Sequence, residues 1–115
     1  MIIVAIDEIN FEDASKIIDK LDSKKCLIKI GSVAFNSIGS KIIYHAAEKG
    51  FDIFLDLKLH DIPNTIKKSI YGLKNLPIKM LTIHTTGGRE MMEAAMEATS
   101  NTCLLYTSPS PRDWL

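Results

Sequence analysis

The chain has little of what usually betrays a function at first sight. It holds only two cysteines, Cys26 and Cys103, far apart and without metal-ligand spacing. They read as small buried hydrophobes of a reducing compartment rather than as a disulfide or a metal site. No sign of charge dominates: 14 basic and 14 acidic side chains give a formal net charge of +0. That balance leaves no electrostatic footprint for nucleic acid. No apolar run approaches the roughly 20 residues that span a bilayer, so no membrane partner is expected. The opening MIIVAIDEIN lacks the basic start and long apolar core of a secretion signal, and a soluble, cytoplasmic protein is expected. With 46% hydrophobic and 24% charged residues the composition is that of a globular protein. A length of 115 residues suits one small domain or a piece of a larger one.

The hydrophobic pattern alternates between two periods. Ile2 to Ile6 is a continuous apolar, β-branched run that reads as a buried strand ending at Asp7. Phe11, Ala14, Ile17, Ile18 and Leu21 follow at the spacing of one helical face, behind Asn10 as an N-cap with Asp13 three residues on. Leu27 to Ile30 reads as a second strand closed by Gly31, and Ile38 to Lys49 as a second helix with Ile42, Ile43, Ala46 and Ala47 inward and Gly50 as its stop. Asp52 to Leu57 is the third strand, and Ile62-Pro63 opens a helix to about Leu73, since proline suits a first helical turn. Met80 to His84 is the fourth strand, Gly87-Gly88 the turn, and Arg89 to Ala98 the fourth helix. Strand starts at Ile2, Leu27, Asp52 and Met80 give a period of about 25 to 28 residues. This predicts the α/β class, with βα units on a parallel sheet. Eight such units would make the roughly 200 to 250 residues of a (β/α)₈ TIM barrel, so about four units form its N-terminal half.

The end of the chain departs from this rhythm. Cys103 to Tyr106 could open a fifth strand, but Ser108-Pro109-Ser110-Pro111-Arg112 has turn or disordered composition. The expected organisation is therefore residues 1–102 as the half barrel and 103–115 as a non-native or disordered tail, a foreign junction being favoured over the plainer reading of a native C-terminal extension. Four units alone would leave two open strand edges, so the chain as written is expected to be poorly soluble and inactive.

Charge recurs where a buried parallel sheet should be apolar. Asp7 ends the first strand, Lys29 lies in the second, Asp56 and Lys58 close the third, and His84 ends the fourth. In βα barrels the C-terminal rim of the strands is where active sites sit. The densest run is Asp56-Leu57-Lys58-Leu59-His60-Asp61. Alternation along a strand puts Asp56 and Lys58 on one face, with Asp61 just beyond in the loop entering the next helix. Two carboxylates around an ammonium favour its charged form, which suits a proton donor better than a base. Each residue has a plainer role open to it: a surface ion pair for Asp56 and Lys58, a snorkelling side chain for Lys29, and a helix-entry acid for Asp7. Asp61 could cap the following helix, His84 could serve only packing, and His60 is expected to be an exposed loop residue.

The run FDIFLDLKLHDIPNT, Phe51 to Thr65, resembles the signature of orotidine 5′-monophosphate decarboxylases. So do V-A-I-D at Val4 to Asp7, I-K-I-G at Ile28 to Gly31 and I-H-T-T-G-G at Ile83 to Gly88, and the likeness covers residues 1 to about 101. The D-x-K-x-x-D core alone is shared with other barrel enzymes acting on sugar phosphates; the I-P-N-T that follows makes the match specific.

The resemblance implies that orotidine 5′-monophosphate is the substrate and UMP the product, without metal or organic cofactor. It implies that Asp7 and Lys29 bind the ribose hydroxyls, that Asp56 sits beside the substrate carboxylate, and that Lys58 gives the proton to pyrimidine C6. Asp61, with Ile62 and Thr65, would reach into the partner's site of a homodimer; His84 receives no chemical role. The phosphate-gripping arginine and the lid loop that the family draws from later strands fall outside these residues, and Arg89 and Arg112 are in the wrong place to substitute. Two other readings stand beside this one. A 3-keto-sugar-phosphate decarboxylase or hexulose-phosphate synthase would share the core but use Mg²⁺. A non-catalytic fragment would merely dimerise through its open half-barrel face.

Overall fold

In the computed structural model, residues 2–99 are described in full and residues 104–108 by their backbone. Cys103 and the tail residues 109–115 lie outside the described residues. Five strands alternate with helices: β1 (Ile2–Ile6), α1 (Phe11–Asp19), β2 (Cys26–Gly31), α2 (Ser32–Ile38), α3 (Lys41–Glu48), β3 (Ile53–Leu59), α4 (Pro63–Leu73), β4 (Met80–His84), α5 (Arg89–Thr99) and β5 (Leu104–Ser108). A 3₁₀ turn, Thr85–Gly87, joins β4 to α5. The strands β1–β2, β2–β3 and β4–β5 pair in parallel. The βα alternation expected from the hydrophobic period is present.

The chain divides into two compact units, and β3 passes from one to the other. The first comprises Met1–Asp56 with Leu76–Lys79. Its register runs from Ile2↔Cys26 to Ile6↔Ile30, then from Ile28↔Ile53 to Gly31↔Asp56. Ile6, Ile28, Ile30, Ile53 and Leu55 are fully buried, as are Ala14 and Ile18 of α1 and Ile42, Ile43 and Ala46 of α3. Asn10 caps α1 as its position predicts: its side chain accepts the Asp13 amide at 2.9 Å and donates to the Asp13 carboxylate at 3.0 Å. Asp19 of α1 meets His45 Nε2 of α3 at 2.8 Å, and Phe11 stands edge-on to the same ring.

One element of this unit differs from the sequence reading. The helix expected from Ile38 to Lys49 is two helices, and Ile38 ends the first. Gly39, at φ +84°, takes a left-handed turn that an L side chain would resist, so the helical run stops there. Ile42, Ile43 and Ala46 face inward as expected, while Ala47 is only half-buried. Gly50 ends α3 at φ +89°, in the role expected of it.

The second unit comprises Leu57–Asn75 and Met80–Leu115. Pro63 occupies the first turn of α4, whose buried residues are Ile66 and Ile70. Helix α5 buries Met91, Ala95 and Ala98, and Lys67 of α4 reaches Glu97 of α5 at 3.1 Å. The fifth strand that Cys103 to Tyr106 could open is β5, in register with β4 from Met80↔Leu104 to His84↔Ser108.

Candidate active site

In the first unit the strand register sets out the candidate residues. Ile6 pairs with Ile30, and Gly31 pairs with Asp56. Asp7 follows β1 directly and is exposed. Asp56 is 5% exposed, a carboxylate inside the sheet, where an ionised group needs a countercharge. Lys29 supplies one: its Nζ lies 3.9 Å from Asp56 Oδ2, and its side chain is 13% exposed. This pairing brings together two of the expected site residues. Cys26 is buried as a free thiol at the start of the same strand.

In the second unit the end of β3 is unusual. Lys58 has φ +49°, the only positive value at a non-glycine residue among the described residues. Side-chain alternation assumes extended backbone at each step, so the argument that placed Asp56 and Lys58 on one face does not hold through Lys58. Its amide donates instead to Thr82 Oγ1 of β4 at 2.9 Å. Thr82 is fully buried between Leu81 and Ile83, which are fully buried as well.

The residues that follow are fastened nearby. His60 is exposed, as expected of a loop residue, and its ring stacks on His84 with centroids 5.5 Å apart and planes 22° from parallel. His84 is buried, and its Nδ1 accepts the Thr86 amide at 3.2 Å, which requires that nitrogen to be without a proton. The Thr86 hydroxyl lies 2.6 Å from the same nitrogen and 3.4 Å from His60 Nδ1. The Asp61 amide donates to the Met91 sulfur at 3.5 Å, while the Asp61 carboxylate accepts the amide of Ile62, the N-cap of α4, at 2.8 Å. Asp61 thus stands one residue before the cap. Ile62 is 66% exposed, and Thr65 is half-buried in the first turn of α4.

Sequence reasoning missed Thr82, Thr86 and Met91. For Thr82 a signal was present: a hydroxyl in the middle of M-L-T-I-H is out of place in a strand buried on both faces, and such a group has a partner.

A family model described as Orotidine 5'-phosphate decarboxylase / HUMPS family matches residues 1–108. The chain belongs to this family. Among relatives, an Orotidine 5'-phosphate decarboxylase of Shigella flexneri serotype 5b (strain 8401) is 41% identical over 97 residues, covering 84% of this chain and 40% of that protein. A crystal structure of Orotidine 5'-phosphate decarboxylase from Lactobacillus acidophilus superposes with a TM-score of 0.79 at 33% identity, covering 92% of this chain and 50% of that one. An uncharacterized conserved protein from Geobacillus kaustophilus gives a TM-score of 0.86 at 30% identity, over 98% of this chain and 56% of that one. The chain therefore spans about two fifths of the curated decarboxylase and about half of each solved structure. Its βα units correspond to part of the TIM-barrel fold of the orotidine 5′-phosphate decarboxylases, as the strand period predicts.

Proposed function

We propose that the whole protein, at the length of its relatives, converts orotidine 5′-monophosphate to UMP in pyrimidine biosynthesis, with Lys58 as proton donor. The observation that carries this is the D-x-K-x-x-D run at the end of β3, in a chain 41% identical over 97 residues to a protein named for that activity. In the reaction the bond from C6 to the carboxylate breaks, CO2 leaves and the electron pair stays on C6. The Lys58 ammonium gives its proton to that carbon and is reprotonated from water. A vinyl carbanion has no adjacent electron sink, so a fixed positive charge aimed at C6 is the means of lowering the barrier.

The remaining roles follow the same reading. Asp56 stands beside the departing carboxylate and adds ground-state repulsion. The Lys29 ammonium faces the Asp56 carboxylate at 3.9 Å within the sheet. Asp7 and Lys29 take the ribose hydroxyls. No metal or organic cofactor takes part. The protein is a cytoplasmic homodimer in which Asp61, Ile62 and Thr65 serve the partner's site. The exposure of Asp61, and of Ile62 at 66%, supports that arrangement, since a large apolar side chain in water favours burial against a partner.

The test is UMP formation by the whole protein beside a Lys58→Ala variant. The variant is expected to lose about a thousandfold or more in kcat, ~4 kcal/mol of barrier, with its fold intact. Retention of more than about a tenth of the rate, a loss under ~1.4 kcal/mol, would remove Lys58 from the chemistry. The family description also spans HUMPS. Turnover of a 3-keto sugar phosphate that EDTA abolishes, with none of orotidine 5′-monophosphate, would assign the chain to a Mg²⁺-dependent branch instead. The shared site predicts complementation: mixing Asp61→Ala with Lys58→Ala subunits should recover part of the activity, because one hybrid site holds both residues. No recovery in proven heterodimers would confine Asp61 to its own subunit.

A further inference from the structure

We propose that Thr82 is a positioning residue for Lys58: its hydroxyl holds the Lys58 backbone in the left-handed conformation from which the ammonium is presented. The proposal rests on the reading of Lys58 as proton donor and adds a residue that this reading does not contain.

The case begins with the backbone. A φ of +49° at lysine is disfavoured, because the Cβ crowds the following carbonyl. Asparagine and aspartate relieve such strain with their own short polar groups, and glycine has no Cβ to crowd; lysine has neither remedy. A strained residue persists when its surroundings over-determine it. Here the surroundings are explicit. The left-handed turn directs the Lys58 N–H to Thr82 Oγ1, 2.9 Å away, inside the same compact unit.

Thr82 is suited to this by position and by type. It lies in the middle of β4, between Leu81 and Ile83, and all three are 0% exposed, so the acceptor cannot drift toward water. Its branched Cβ limits rotation about χ1, which keeps the oxygen in place. Farther along, the Asp61 amide is held by the Met91 sulfur, and the His60 ring by His84. Between the fully buried Thr82 and these contacts the chain has little freedom to relax at residue 58. In strand geometry a change from left-handed to extended backbone redirects the Cα–Cβ bond. The hydroxyl of Thr82 therefore selects the direction in which the lysine leaves the chain.

The experiment compares Thr82→Val, which keeps the shape and loses the hydroxyl, with Thr82→Ser, which keeps the hydroxyl, in the whole protein. Thr82→Val is expected to lower kcat about tenfold to a hundredfold with KM within about twofold, and Thr82→Ser to stay within about threefold of the parent in kcat. Site-resolved hydrogen exchange should show the Lys58 amide protected in the parent and in Thr82→Ser, and exposed in Thr82→Val. A Thr82→Val protein with unchanged kcat, or with its Lys58 amide still protected, overturns the proposal. So do equal losses in the valine and serine variants, which would mark a packing role alone. Should Thr82→Val not fold, the Thr82→Val, Lys58→Gly double variant decides. Glycine takes the left-handed backbone unaided, so recovery of a cooperative unfolding transition supports the clamp and failure to recover overturns it. A parent protein that does not decarboxylate orotidine 5′-monophosphate refutes the function proposed above; the exchange measurement then decides on its own whether Thr82 holds Lys58.

Discussion

Two candidate residues of β3, one in each unit, are placed by different physics. In the first unit Asp56 lies in a paired stretch of strand opposite Gly31, and Lys29 of the neighbouring strand faces its carboxylate at 3.9 Å. In the second unit Lys58 departs from strand geometry at φ +49°, and its backbone amide is held by a neutral hydroxyl. The comparison separates two requirements of a site. Keeping a buried group charged takes a countercharge, and regular backbone serves well enough. Aiming a long, flexible ammonium takes control of the bond that leaves the main chain, and a strained dihedral can supply that control.

Breaking the first arrangement should have the larger effect on stability. Lys29→Met in the whole protein removes the ammonium opposite Asp56 and should lower the unfolding free energy by about 2–3 kcal/mol in denaturant titration. Adding Asp56→Asn should return part of that loss, because the carboxylate that needed the ammonium is gone. A loss under about 0.5 kcal/mol for Lys29→Met would mean that the Asp56 charge is met by other groups.

Breaking the second should change stability less, and in the opposite direction. Lys58→Gly relieves the left-handed strain, and it should exceed Lys58→Ala in stability by about 1 kcal/mol in the same titration, while both are inactive. An alanine variant as stable as the glycine variant would mean that the backbone at residue 58 is unstrained or relaxes without cost.

The features legible in the sequence were those decided within a few residues. Asn10, Gly50 and Pro63 act through their own caps and dihedrals, and each stands where its chemistry predicts. Strand β4 was legible residue for residue, from Met80 to His84, because apolar runs between turns have few other readings. Helix α2 was not, since of its seven residues only Ala34 is buried and no stripe marks it. The apolar residues Ile38, Ile42 and Ile43 suggested one helix across Gly39, and the glycine's positive φ overruled them. At the candidate site the residue types were legible and one key conformation was not. Nothing in L-K-L announces a left-handed lysine, because its cause lies 24 residues away in Thr82. Whether a strand-end residue follows the alternation of its strand is a tertiary question, and no local pattern answers it.

The turn after β4 carries a consequence for how this sequence can diverge. A Cβ on Gly87 would collide with the Met91 sulfur, and that sulfur accepts the amide of Asp61. A side chain at position 87 would make the flexible end of Met91 swing aside, and the sulfur would move away from the Asp61 amide. The residue types at positions 87 and 91 are therefore expected to depend on one another. A lineage that replaced Gly87 would carry either a methionine turned away from the Asp61 amide or a shorter residue at 91, so a change in the turn after β4 would be felt in the loop after β3.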